Sequence, residues 1–239
     1  MRIAIIGCGW VGEKLAKYLT AKDYHVIATT TSPEKIIPLQ NGATEVHLLD
    51  FNTTIDFGFL ASVDVAIFSM SISRNGWHHG FEKLKQEFPK TMLFSSTGVY
   101  PKEDQVFTEK DTSDLRPDIL ASEKLVRKSY PQTNILRFGG LMGADRTLQN
   151  MFKNRQPESP GKLTNYIHYE DILAIVDLLI HSEIKAETYN IVAPENPSIA
   201  EVLNLEPDNN HDSHQRIISS EKLIQDFNYT FIHPNPQYF

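Results

Sequence analysis

The chain opens on MRIAIIGCGWVGEKLAKYL, an apolar run that ends in glycine and passes at once into a helical period. An unbroken run such as RIAII is what a strand buried on both faces of a parallel sheet requires. Val11, Leu15, Tyr18 and Leu19 then share one helical face, with lysines and a glutamate opposite. Between the two, Gly7, Gly9 and Gly12 stand at GxGxxG spacing. The first glycine permits a tight turn, the second lets the backbone approach a diphosphate, and the third lets the helix pack closely on the strand. Strand, spacing and helix together predict an anion-binding loop whose exposed amides, from Gly9 through Trp10 and Val11 to Gly12, face a dinucleotide.

The same alternation continues along the chain. HVIATT, EVHLLD, VDVAIFSM, TMLFSST and NILRF read as further strands, and SPEKIIPLQNG, GFEKLKQEF and RPDILASEKLVRK as the helices between them. Ser32 is placed to cap the first of these helices, with Pro33 in its first turn and Gly42 past its end. Such alternation predicts an α/β fold, a doubly wound parallel sheet of the NAD(P)-binding Rossmann kind. Residues 1–239 are read as a single domain: 1–140 as the dinucleotide-binding part, and 141–239 mainly as a small C-terminal substrate lobe plus the last sheet elements. In the later part TLQNMFKNR reads as helix, NYIHYEDILAIVDLLIH as a short strand or loop into a strong helix, ETYNIVA as a strand, and RIISSEKLIQDF as strand and helix.

Composition narrows the function classes. With a net charge of −7 a broad nucleic-acid surface is not expected. Cys8 is the single cysteine, so no internal disulfide forms, which fits a reducing compartment. The N-terminus lacks a signal-peptide pattern, and ILAIVDLLI is too short to span a bilayer; a cytoplasmic location without a membrane partner is expected. No GxSxG elbow and no GxxxxGK[ST] loop is present.

The end of the second strand reports on the ribose. An acidic residue about 20 residues after the glycine motif is the usual partner of the NAD ribose. Here Thr30, Thr31 and Ser32 stand instead, followed by Lys35, a set that accommodates a 2′-phosphate. NADP is therefore the expected cofactor, with NAD as the other that such a site admits. Asp50, closing the third strand, is a candidate for the adenine or equally a turn residue, and Ser69 closes the fourth strand at the same edge.

The chain resembles the short-chain dehydrogenase/reductases, most of all the atypical, extended members related to NAD-dependent epimerase/dehydratases. The resemblance runs through IAIIGCGWVG, FSSTGVYP, ILRFGGLMG, NYIHYEDILAI and YNIVAPENPSIAEV. It implies that Ser96, with Thr97 beside it, orients the substrate oxygen and that Lys124 binds the nicotinamide ribose. The family's catalytic tyrosine lies one helical turn before that lysine, on the same face. Here Leu120 occupies the position, and leucine exchanges no proton. By pattern alone Lys124 is equally a solvated helix residue. Tyr100, Arg146 and His168 are the candidate substrate contacts, and Tyr166 and His168 the nearest groups to stand in for the missing phenol. Gly140 stands where the family often has asparagine, and Ala144 where it often has proline.

The expected function is an NAD(P)-dependent oxidoreductase or epimerase/dehydratase acting on a sugar-nucleotide-like or small carbonyl metabolite, with an altered proton-transfer site. The alternative is a catalytically silent NAD(P)-binding sensor or scaffold. A homodimer through the Lys124 helix is implied by the resemblance alone. The histidine pairs, His78 with His79 and His211 with His214 near Asp208 and Asp212, read as solvated, and no metal is expected. KEDQVFTEKDTSD reads as a surface loop, or as a mobile cover of the site.

Overall fold

A computed structural model describes residues 1–206 and 215–239. The strands are β1 (Arg2–Ile6), β2 (His25–Thr30), β3 (Glu45–Leu48), β4 (Val65–Phe68), β5 (Lys90–Ser96), β6 (Val106–Phe107), β7 (Asn134–Phe138), β8 (Gly140–Met142), β9 (Tyr166–His168), β10 (Thr188–Ile191) and β11 (Ile217–Ile218). The α-helices are α1 (Trp10–Thr20), α2 (Ile36–Gln40), α3 (His78–Phe81), α4 (Pro117–Ser129), α5 (Leu148–Met151), α6 (Tyr169–His181), α7 (Ile199–Leu203) and α8 (Glu221–Phe227). Seven strands form one sheet in the order β10-β7-β5-β4-β1-β2-β3. This is the expected doubly wound α/β architecture.

The chain gathers into two compact units. The first comprises Met1–Ser95, Pro117–Leu136 and Ile175–Glu187. In it β1 lies between β2 and β4, parallel to both, with Ile3 opposite Val26 on one side and Val65 on the other. The strand order therefore reverses at β1, and ligands of such sheets bind at the carboxyl ends beside that reversal. Ile3, Ala4, Ile5 and Ile6 are fully buried, as the apolar run demands. Helix α1 covers the sheet with Val11, Gly12, Leu15, Ala16 and Leu19. An aromatic cluster fills another part of this core: Phe81 sits edge-on to Phe51, Phe68 and Trp77, with ring centroids 5.2–5.3 Å apart. Lys90 donates to the carbonyls of Leu179, Ile180 and Ser182, supplying a cation to the last turn of α6.

The second unit comprises Ser96–Arg116, Arg137–Ala174 and Thr188–Phe239. Two short parallel pairs organise it, β6 with β11 and β8 with β9. Arg216 donates to the carbonyls of Thr97 and Pro101 at 2.8 and 2.7 Å. Asp171, fully buried, accepts the Tyr229 hydroxyl and the backbone amides of Ile232 and His233. Helix α7 starts in a reciprocal capping box between Ser198 and Glu201.

Several local expectations change. GFEKLKQEF is not a helix throughout: α3 ends at Phe81. Gly80 is pressed so closely on the Phe51 carbonyl that a Cβ would collide, and Lys83 donates to the carbonyls of Phe51 and Asn52. Those anchors override the helical period. TLQNMFKNR is likewise helical only over Leu148–Met151. The segment around residues 101 to 117 lies mostly on the surface, and within it β6 pairs with β11 and Thr108 and Asp111 close a turn. Among the described residues no helix is long and apolar enough to cross a membrane.

Candidate functional site

The glycine loop is held by β2. The Cys8 amide donates to the Thr29 carbonyl at 2.7 Å, and the Gly7 amide donates to the Thr29 hydroxyl at 3.0 Å. Gly7 adopts φ +90°, and a Cβ there would come 3.0 Å from the Met70 amide nitrogen. Gly12 brings α1 down onto β1, where a Cβ would touch Ile5 and Cys8 at 3.4 Å. Gly9 is different: a Cβ there would meet nothing within 4 Å. It is also the N-cap of α1 and offers the helix no side-chain cap. The first and third glycines are explained by the chain's own packing. The second leaves open space in front of a helix N-terminus, the place where a diphosphate fits without displacing anything.

That space belongs to a cleft of about 540 Å³ within the first unit. Gly7, Gly9, Thr30, Thr31, Ser32, Lys35, Asp50 and Ser69 line it. Trp10, Val11 and Gly12 belong to the adjoining helix start rather than to the lining. Ser32 takes the N-cap position before Pro33, but its side chain makes no capping bond. Its amide instead donates to the Thr30 hydroxyl at 3.1 Å. Asp50 Oδ1 accepts from both the amide and the side chain of Asn52, so the carboxylate shapes the turn after β3 while standing at the cleft.

Sequence reasoning missed Arg74 and Trp77, which the loop after β4 brings to the same cleft. Arg74 adds a guanidinium to the lining that already holds Thr30, Thr31, Ser32 and Lys35. The available signal was positional, because loops at the carboxyl ends of such strands line the ligand crevice.

Cys8 is no nucleophile. It is 5% exposed, and burial pushes its thiol up to about 12. His78 is half-buried rather than solvated. The Ser122 hydroxyl donates to the Ile72 carbonyl, and His78 Nε2 lies 2.7 Å from the same hydroxyl oxygen. On α4, Lys124 is exposed, Leu120 is half-buried, and the preceding Glu123 accepts the Ser95 hydroxyl at 2.6 Å in a buried bond.

In the second unit Ser96 is half-buried and its hydroxyl accepts the Gly98 amide; Thr97 is buried. Tyr100 is 3% exposed; its hydroxyl donates to Asn190 Oδ1 and accepts from Arg137, both at 2.9 Å. Burial raises its pKa, with Arg137 opposing. The one proton of Tyr100 is thus committed within the fold. The departures after β7 have steric causes. A Cβ on Gly140 would collide with the Tyr166 ring, which excludes an asparagine. Ala144 has φ +53°, inaccessible to proline. Arg146 is exposed on the turn that Gly143 and Arg146 close through reciprocal backbone bonds. His168 is 7% exposed and stands with Glu170 and His233. His211, His214, Asp208 and Asp212 lie outside the described residues.

The doubly wound fold is similar to that of solved proteins that include NAD-dependent epimerases and a dehydratase. A family described as NADP oxidoreductase coenzyme F420-dependent matches residues 2–71. The Protein YeeZ of Escherichia coli (strain K12) is 25% identical over 98% of this chain and 97% of its own. Among solved structures, a functionally unknown conserved protein from Silicibacter pomeroyi aligns with a TM-score of 0.76 and 16% identity, over 99% of this chain and 95% of the other. UDP-glucuronic acid 4-epimerase from Bacillus cereus, in complex with NAD, aligns with a TM-score of 0.73 and 16% identity, over 99% and 94%.

Proposed function

We propose that the chain binds a nicotinamide dinucleotide in the cleft beside Gly9 and serves as an oxidoreductase or epimerase of small metabolites. The observation that carries this reading is the unfilled space at Gly9 before the uncapped N-terminus of α1. The amides of that turn bind the diphosphate, supported by the partial positive charge of the helix end. Thr31, Ser32, Lys35 and Arg74 form the polar part of the cleft lining suited to a 2′-phosphate, which favours NADP. Asp50, in the same lining, would meet the adenine end. When bound, the nicotinamide supplies hydride transfer. Ser96 orients the substrate oxygen and Lys124 the ribose hydroxyls, roles taken from the resemblance. Thr97 and Tyr100 serve as the wall behind Ser96, with Arg146 as an anionic-group contact. The similar fold of the UDP-glucuronic acid 4-epimerase supports a nucleotide-sugar or similar carbonyl substrate.

Leu120 favours a second reading, a dinucleotide-binding sensor without catalysis. Positioned acid–base catalysis commonly contributes about 10²–10⁴ in rate, and Tyr100, the nearest phenol in sequence to Ser96, has its hydroxyl engaged. The experiment follows nicotinamide absorbance with a panel of carbonyl metabolites and nucleotide sugars, using the natural chain and Leu120→Tyr. Turnover that appears or rises at least about tenfold in Leu120→Tyr supports an active site lacking only its phenol. A variant that binds cofactor normally and stays inert across the panel refutes the enzymatic reading and leaves the sensor.

A further inference from the structure

Two histidines and a carboxylate meet in the second unit, and what they can bind does not depend on the dinucleotide reading. His168 ends β9, Glu170 lies in the first turn of α6, and His233 follows α8. Glu170 Oε2 lies 3.8 Å from His168 Nδ1 and 2.7 Å from His233 Nε2. One ligand atom from each residue falls within 4.8 Å of the other two. The two imidazoles face each other with centroids 3.8 Å apart and planes inclined by 46°.

The cluster is fixed from outside. Asp171 accepts the His233 backbone amide at 3.0 Å and so delivers that side chain to Glu170. Gly143 packs on the Nε2 edge of His168, where a Cβ would collide. The Glu170 amide donates to the other nitrogen, Nδ1, at 3.4 Å, so Nδ1 carries the lone pair, and an ion there would replace that long bond. Tyr169 donates its hydroxyl to Glu170 Oε1 at 3.2 Å, so Oε2 is the oxygen turned to both rings. The His168 side chain is 9% exposed, whereas those of Glu170 and His233 are 45% and 27% exposed, leaving one side open to solvent.

Two imidazole nitrogens and one carboxylate oxygen are a donor set for zinc, with a further position left for water. Bonds of about 2.0–2.2 Å to a tetrahedral ion space its ligands about 3.3 Å apart. The two spacings to Glu170 Oε2, 2.7 and 3.8 Å, bracket that value, and each ligand atom lies within 4.8 Å of the other two. We infer that His168 Nδ1, Glu170 Oε2 and His233 Nε2 bind one zinc-class divalent cation, which takes the place of the proton between His233 and Glu170.

The test uses the full chain stripped with chelator, titrated with Zn²⁺ by calorimetry and with Co²⁺ by visible absorption. One cation per chain is expected, with the intense Co²⁺ bands of four-coordination. His233→Ala and Glu170→Gln, both at partly exposed side chains, should each weaken binding by at least about tenfold. A His78→Ala, His79→Ala double variant should bind as the natural chain does. Circular dichroism of the stripped variants separates loss of ligands from loss of fold. Should either variant unfold, Co²⁺-shifted ring-proton resonances of His168 and His233 in the natural chain decide the assignment. Absence of saturable one-to-one binding, binding undiminished in both folded variants, or unshifted His168 and His233 resonances would each overturn the proposal.

Discussion

Replacing Gly9 by alanine separates a ligand cradle from a plain glycine turn. Gly9 has φ −91° and ψ −157°, a conformation alanine adopts, and the added methyl meets no heavy atom within 4 Å. The folded protein therefore loses only what alanine costs at an N-cap, about 0.5–1 kcal/mol. For a chain of this size that lowers the melting temperature by about 2–4 °C per kcal/mol. Binding behaves differently. A methyl forced into a close contact typically costs about 1–3 kcal/mol, which is about tenfold to a hundredfold in affinity. Gly7→Ala is the contrasting control. With φ +90° and the Met70 nitrogen 3.0 Å away, it costs about 1–2 kcal/mol of backbone strain before any ligand is present. Gly12→Ala gains up to about 1 kcal/mol of helix propensity, offset by crowding at Ile5 and Cys8. The assay is calorimetric titration with NADPH and NADH beside a thermal melt. A Gly9→Ala variant that melts near the natural chain and still binds the dinucleotide equally well would refute the assignment of that space to a diphosphate.

The remaining predictions concern other groups. The Lys35→Ala, Arg74→Ala double variant should lower NADPH affinity by about tenfold or more and leave NADH affinity nearly unchanged; parallel losses for both would remove the 2′-phosphate from this part of the cleft. Native protein at neutral pH should resist thiol reagents at Cys8, whose thiol burial raises to about 12, and unfolded protein should react fully; prompt labelling of the native chain contradicts this. Burial lowers the pKa of His78 below the ordinary histidine value of about 6.5. Its contribution to stability is therefore present above that value and lost as pH falls through the depressed one. Melts between about pH 7.5 and 5 should decline less steeply in His78→Asn, and an unchanged slope would assign the acid sensitivity elsewhere.

The parts of this molecule that were legible in its sequence are those with local causes. The strand, three glycines and helix at the N-terminus follow from period and spacing within residues 1–20, and the structure adds only which glycine faces space. The Lys124 helix and the β9–α6 junction are likewise periodic and appear as read. What was not legible depends on contacts between distant segments. The shortness of α3 follows from Gly80 and Lys83 meeting the backbone of Phe51 and Asn52, which no helical pattern encodes. Arg74 lies in an aperiodic loop and joins the cleft only because β4 neighbours β1. The meeting of His168 with His233 requires Asp171 to capture the segment after α8. Gly140 and Ala144 read as losses of family residues, whereas Tyr166 and a left-handed backbone give each a steric reason.

The claim under all of this is that the amides at the start of α1 take a dinucleotide diphosphate. Calorimetry of the natural chain with NADPH, NADH and free AMP tests it most directly. One-to-one binding of at least one dinucleotide is expected, tighter for NADPH, weaker for AMP, and reduced about tenfold to a hundredfold by Gly9→Ala. No heat of binding and no rise in melting temperature with either dinucleotide would contradict it.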